Sequence, residues 1–161
     1  MKLLTARSCL RRSLALALSL GLMISGSLMP SDARAQQNSM LVRVVQNDRG
    51  GVVGNRAKEI AKIQARHQRV EIRGKVCLSS CTMYLGAGDV CVDPSTKFGF
   101  HGPSFYGKSL EPHQFEYWSA VIASYYPARL REWYMSEGRY KSDGYYTMYG
   151  AQLIRLGIAQ C

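Results

Sequence analysis

Three short stretches hold residues whose types and spacing could do chemistry. "RGKVCLSSCTMYLGAG" (73–88) places Ser79 and Ser80 side by side between Cys77 and Cys81. "KFGFHGP" (97–103) ends a strand-like run on His101. "NDRGG" (47–51) joins a strand-like run to a helix-like one through Gly50 and Gly51. A serine hydroxyl becomes a useful nucleophile beside a base, with donors aimed at the oxyanion that forms. The first N–H groups of a helix have no partner within it. A serine opening a helix can therefore attack while the next N–H steadies the developing charge. His101 is the candidate base. Gly50 and Gly51 can bring exposed N–H groups close to a ligand because glycine turns sharply.

Taken singly, each feature has a plain structural explanation. Serine is a favoured helix N-cap. His101 can be a strand-end histidine with one ordinary hydrogen bond. Gly50–Gly51 can be a simple turn. It is not a phosphate loop, because neither GxGxxG nor GxxxxGK is present. His67 and His113 fall on polar, surface-like segments and take no catalytic role.

The elements that must position these residues follow from apolar spacing. Met40–Gln46 predicts a strand, Val53–Ala65 a helix and 67–74 a second short strand. Ser79–Ala87 predicts a compact apolar helix closed by Gly88. Residues 90–92 and 97–101 predict two more strands. Helices are expected over Glu111–Tyr125, from Pro127 to Glu137, and over Tyr146–Leu156. Strands alternating with helices imply an α/β fold of βαβ units with a mostly parallel sheet. In such sheets, sites gather where strands end and helices begin.

Residues 1–35 read as a secretory signal. Lys2, Arg7, Arg11 and Arg12 precede an apolar stretch, and Ala33-Arg34-Ala35 supplies a cleavage site. Arg11-Arg12 leaves the choice between general and twin-arginine export open. A single domain over 36–161 follows, periplasmic or secreted, with no membrane span after cleavage. Of the +10 net charge, the signal holds five basic residues and one acid, leaving about +6. That charge is scattered, so nucleic acid is not an expected partner. Four cysteines remain after cleavage: Cys77, Cys81, Cys91 and Cys161. An even count in an exported chain points to disulfides, with three connectivities open. The spacings suit zinc poorly, and no metal or cofactor is expected. A thiol-redox role for Cys77 and Cys81 is a weaker reading, since it needs an exposed thiolate.

In this order, "RVVQNDRGGVVG", "GKVCLSSCTMYLGAG" and "FGFHGP" resemble the core of the Clp-type serine peptidases. The Cys-x-Ser-x-Cys-Thr form is closer to the exported Clp-like group than to the cytoplasmic Clp peptidases. Residues 41–103 carry the resemblance, and "LGIA" at 156–159 extends it thinly. The resemblance implies a crotonase-like fold, shortened at the N-terminus. It implies Ser79 as nucleophile, His101 as general base, and oxyanion donors at Ser80 and at Gly50 or Gly51. The orienting acid is where the pattern departs. Tyr145 stands at the aligned position, Asp143 lies two residues before it, and Glu137 is a fallback. The expectation is an exported serine hydrolase cleaving amide bonds in peptides or unfolded proteins. The alternative is a non-catalytic domain of the same fold that binds peptides or a partner protein. The shortened sheet leaves an edge that invites a homo-oligomer. The aromatic tail (Tyr117, Trp118, Tyr125, Tyr126, Trp133, Tyr134) either covers it or completes the core.

Overall fold

Two β-sheets share the strands of the described residues. The computed structural model describes residues 42–161, so the signal segment and its cleavage site lie outside the described residues. The first sheet contains β1 (Val42–Val45), β2 (Arg69–Ile72), β4 (Val90–Val92) and β7 (Ala159–Gln160), in that spatial order. Every pairing in it is parallel. The second contains β3 (Val76–Leu78), β5 (Lys97–Phe100) and β6 (Tyr146–Tyr149). Here β3 and β5 run parallel and β6 closes antiparallel on β5. The protein is thus an α/β fold with mostly parallel strands.

Helix α1 (Val53–Ala65) makes the crossover from β1 to β2. It buries Ile60 and Ile63 and leaves Lys58 and Lys62 outside, as a 3.6-residue period requires. A 3₁₀ helix over Ser79–Gly86 follows β3. Then come α2 (Pro112–Ala123), α3 (Ala128–Ser136), a 3₁₀ turn at Gly138–Tyr140 and α4 (Gly150–Arg155). Pro112 opens α2, where its missing N–H costs nothing.

The core is built on fully buried Ile60, Val70, Ile72, Met83, Tyr84, Val92, Phe98 and Leu153. The aromatic tail mainly completes it. Tyr126 and Tyr134 are buried, and Phe100 meets Tyr126 and Trp133 edge to face at 5.7 and 5.5 Å. Tyr117 stays exposed.

Four elements differ from the sequence expectation. Tyr146–Tyr149 is a strand, with helix only from Gly150. The Tyr-Thr-Met-Tyr run alternates half-buried and exposed side chains, and such residues suit a pleated surface. The helix after β3 takes 3₁₀ form, with Ser80 to Leu85 all buried. Strands β3 and β7 have three and two residues, too few for a period to show.

Cys77 is joined to Cys81, and Cys91 to Cys161. Such bonds persist in oxidising compartments. The second bridge spans 70 residues and ties down the chain's last residue beside β4. The first spans only four and encloses Ser79. Chain entropy alone assigns the long loop about 4 kcal/mol and the short one about 2 kcal/mol. No helix among the described residues is long and apolar enough to cross a membrane.

Candidate active site

Register brings the site together. Leu78 at the end of β3 pairs with Gly99 on parallel β5. Ser79 and His101 therefore leave the sheet at the same edge, one and two residues beyond that pair. On the other side of β3, Asp48 makes a parallel bridge to Cys77, and the Leu78 N–H donates to the Asp48 carbonyl at 2.9 Å. Three parallel segments thus end together, carrying Gly50–Gly51, Ser79 and His101.

Ser79 Oγ lies 2.7 Å from His101 Nε2. Ser79 is held at φ 56°, in the left-handed region. A non-glycine residue there costs about 1–3 kcal/mol and persists only where its surroundings fix it. A sharp strand-to-helix turn of this kind lifts the hydroxyl clear of the sheet. Gly50, at φ 93°, makes room for it: a Cβ on Gly50 would lie 2.6 Å from the Ser79 Cβ and 2.8 Å from the Leu78 carbonyl oxygen.

The Gly-Gly turn has its own scaffold. The Gly50 N–H donates to Asp48 Oδ1 at 2.7 Å, so it already has a partner. Asp48 Oδ2 is paired with the largely buried Arg56 at 2.6 Å. Arg56 also bonds Glu59 and the Tyr84 hydroxyl, with its guanidinium 4.3 Å over the Tyr84 ring. Of the two glycines, Gly51 lines the cavity beside Ser79. Ser80 is the second residue of its 3₁₀ helix, so its N–H has no carbonyl to bond within that helix. The Ser80 side chain is buried, and its Oγ has no partner among the described residues.

The His101 imidazole is partly buried, and this desolvation holds its pKa below the usual histidine value. A main-chain hydrogen bond at Gly102 acts in the opposite direction. The Tyr134 hydroxyl donates to the His101 carbonyl at 3.2 Å. The ring of Tyr145 stands edge-on to the imidazole, 5.2 Å between centroids. Gly99 lets it do so: a Cβ there would fall 2.9 Å from the Tyr145 ring. Asp143 is exposed, and neither it nor Glu137 has a hydrogen bond or ion pair to His101 among the described residues. Tyr145 does reach the histidine, but as an aromatic ring.

A cavity of about 600 Å³ opens over Ser79 and His101. Val52, Phe105, Leu110, Trp118 and Ile122 give it mostly apolar walls, and Arg49 stands among them. Among the described residues, no cluster of His, Cys, Asp and Glu could hold a metal. The four cysteines are all in bridges, which leaves no thiolate for redox chemistry in this state.

Sequence reasoning missed Asp48, Thr82, Tyr126 and the contact role of Tyr145. Asp48-x-Gly50 is an Asx-turn pattern and carried a usable signal. Thr82 and Tyr126 meet across 44 residues, and no local pattern announces that. No protein-family model matches the chain, and a comparison with curated proteins found no match.

Proposed function

We propose that the protein is a serine hydrolase of Clp-like, crotonase-related architecture that cleaves acyl bonds, chiefly amide bonds in peptides, through an acyl-enzyme. The observation that carries this reading is the 2.7 Å contact between His101 Nε2 and the hydroxyl of a serine in the left-handed region. A serine needs neither that conformation nor that neighbour to cap a helix. The ordered Gly-Gly, Ser and His-Gly-Pro stretches support the family reading.

The chemistry follows from the groups present. As Ser79 Oγ bonds to the substrate carbonyl carbon, its proton passes to His101 Nε2. Acceptance at Nε2 requires the ring's other proton on Nδ1. Burial favours the neutral, accepting form of the ring. The carbonyl oxygen becomes an oxyanion between the N–H groups of Ser80 and Gly51. His101 then returns the proton to the leaving nitrogen, the C–N bond breaks, and the acyl group stays on Ser79. A water, deprotonated by the same imidazole, releases it. The Gly102 main chain and the Tyr145 ring orient the imidazole where other sites use a carboxylate. A dyad of this kind forgoes carboxylate stabilisation of the imidazolium, so slow turnover is expected.

The second reading is a peptide-binding domain without catalysis, favoured by the absence of a carboxylate partner for His101 among the described residues. Treating the protein with a fluorophosphonate separates the two. Covalent labelling that vanishes in Ser79→Ala supports the hydrolase; an unreactive protein that binds peptides in the same cavity supports the binding domain. The two disulfides and the signal-like N-terminus favour an exported, oxidising location, the periplasm or beyond.

A further inference from the structure

The turn that carries Ser79 has a second tier of support. Thr82 Oγ1 lies 2.7 Å from the Ser79 carbonyl oxygen and 2.6 Å from the Tyr126 hydroxyl oxygen. Proton counting fixes the direction of both bonds. A carbonyl only accepts, so the single Thr82 proton goes to Ser79. Thr82 must then accept from Tyr126. The chain runs Tyr126 O–H to Thr82 O–H to Ser79 C=O. Thr82 and Tyr126 are both buried, and each also lines the cavity over the serine. Burial drives the Tyr126 phenol pKa far upward, so it keeps its proton and remains a donor.

The Ser79 carbonyl and the Ser80 N–H belong to one peptide unit. That unit is planar and trans, so its C=O and N–H point in opposite directions. Fixing the carbonyl therefore aims the N–H. We propose that Thr82 and Tyr126 are positioning residues that aim and polarise the Ser80 N–H toward the substrate oxyanion. The inference rests on Ser79 being the nucleophile. Hydrogen bonds in series strengthen one another, so a loaded carbonyl also makes its amide a better donor. The same bond holds Ser79 at its positive φ, because turning that residue would pull the carbonyl from Thr82. Neither residue touches the substrate carbonyl, and neither moves a proton in the reaction.

The test uses the full chain as wild type, Ser79→Ala, Thr82→Val, Thr82→Ser and Tyr126→Phe. A p-nitrophenyl ester reports turnover, and a phenylboronic acid reports affinity for a tetrahedral anion on the serine. Removing one oxyanion donor outright costs about 10²–10³ in kcat, so misaiming one should cost about tenfold or more. Thr82→Val is expected to lower kcat by that factor with KM nearly unchanged, and to weaken boronate binding in proportion. Thr82→Ser, which keeps the hydroxyl, should recover most of both. Tyr126→Phe should shift both in the same direction by a smaller factor, and tests the chain independently if Thr82→Val does not fold. Serine-dependent turnover and boronate affinity unchanged in Thr82→Val and Tyr126→Phe would overturn this inference alone. Turnover that survives Ser79→Ala would overturn the nucleophile reading and this inference with it.

Discussion

Gly50 sits against Ser79 so closely that a Cβ on the glycine would lie 2.6 Å from the serine Cβ and 3.1 Å from its Oγ. The nucleophile turn and the Gly-Gly turn are therefore one packed unit. Both residues take positive φ within that unit. Gly50→Ala strains the backbone and drives a methyl group into the serine. Labelling by a fluorophosphonate should fall by about a hundredfold or more, the scale of losing one oxyanion donor. Gly51 has open space where its Cβ would be, but its φ of 149° strains a side chain there too, so only Gly50 tests the packing. If Gly50→Ala labels at the wild-type rate, the packed unit is not what holds Ser79 in place.

The imidazole sets the pH dependence. Its folded pKa lies below the ordinary histidine value because burial penalises the charged ring. The active form is neutral, so kcat/KM should rise through a midpoint below about 6.5 and then level off. Stability follows the same sign. The unfolded chain binds the proton more readily, so this contribution is complete above the unfolded pKa and is lost as pH falls toward the folded one. A rate profile with a midpoint above 7 would contradict the burial argument.

The orienting partner of His101 separates two mechanisms. With Asp143 exposed and the Tyr145 ring against the imidazole, Asp143→Asn should change kcat by less than about twofold, the typical weight of a surface group. Tyr145→Phe should keep most activity, and Tyr145→Ala should lose about tenfold by freeing the ring, worth about 1.4 kcal/mol of the barrier. A loss near 10⁴-fold in Asp143→Asn would put a carboxylate back into the machinery.

The two disulfides should part company on removal. Cys91 and Cys161 close the long loop, so replacing both with alanine should lower stability by about 4 kcal/mol with a smaller effect on kcat. Cys77 and Cys81 enclose Ser79 in a short loop, and their chain-entropy effect is near 2 kcal/mol. Their replacement should cut kcat more than stability. Equal losses of activity from both pairs, measured beside denaturant unfolding, would remove the local role.

The parts of the fold and site that could be read from the sequence were those with a local signature. Helix α1 shows its period in Val53, Ala57 and Ile60, and β1 shows its valines. Ser79, His101 and the glycine turn stood out because each ends or begins an element. Strand β6 was hidden because Tyr146 to Tyr149 run directly into a helix, and a short alternating segment beside Leu153 reads as part of it. Thr82 with Tyr126, and Tyr145 with His101, were hidden for another reason. Those pairs form only when the turn after α2 and the segment entering β6 dock on the sheet, and nothing in either segment names its partner.

The most direct measurement is peptide-mapping mass spectrometry of the protein after reaction with a fluorophosphonate at neutral pH. The account predicts one phosphonyl group per chain, carried by Ser79, with labelling strongly slowed in His101→Ala. Phosphonylation at another residue, or equal labelling of Ser79 with and without His101, would contradict it.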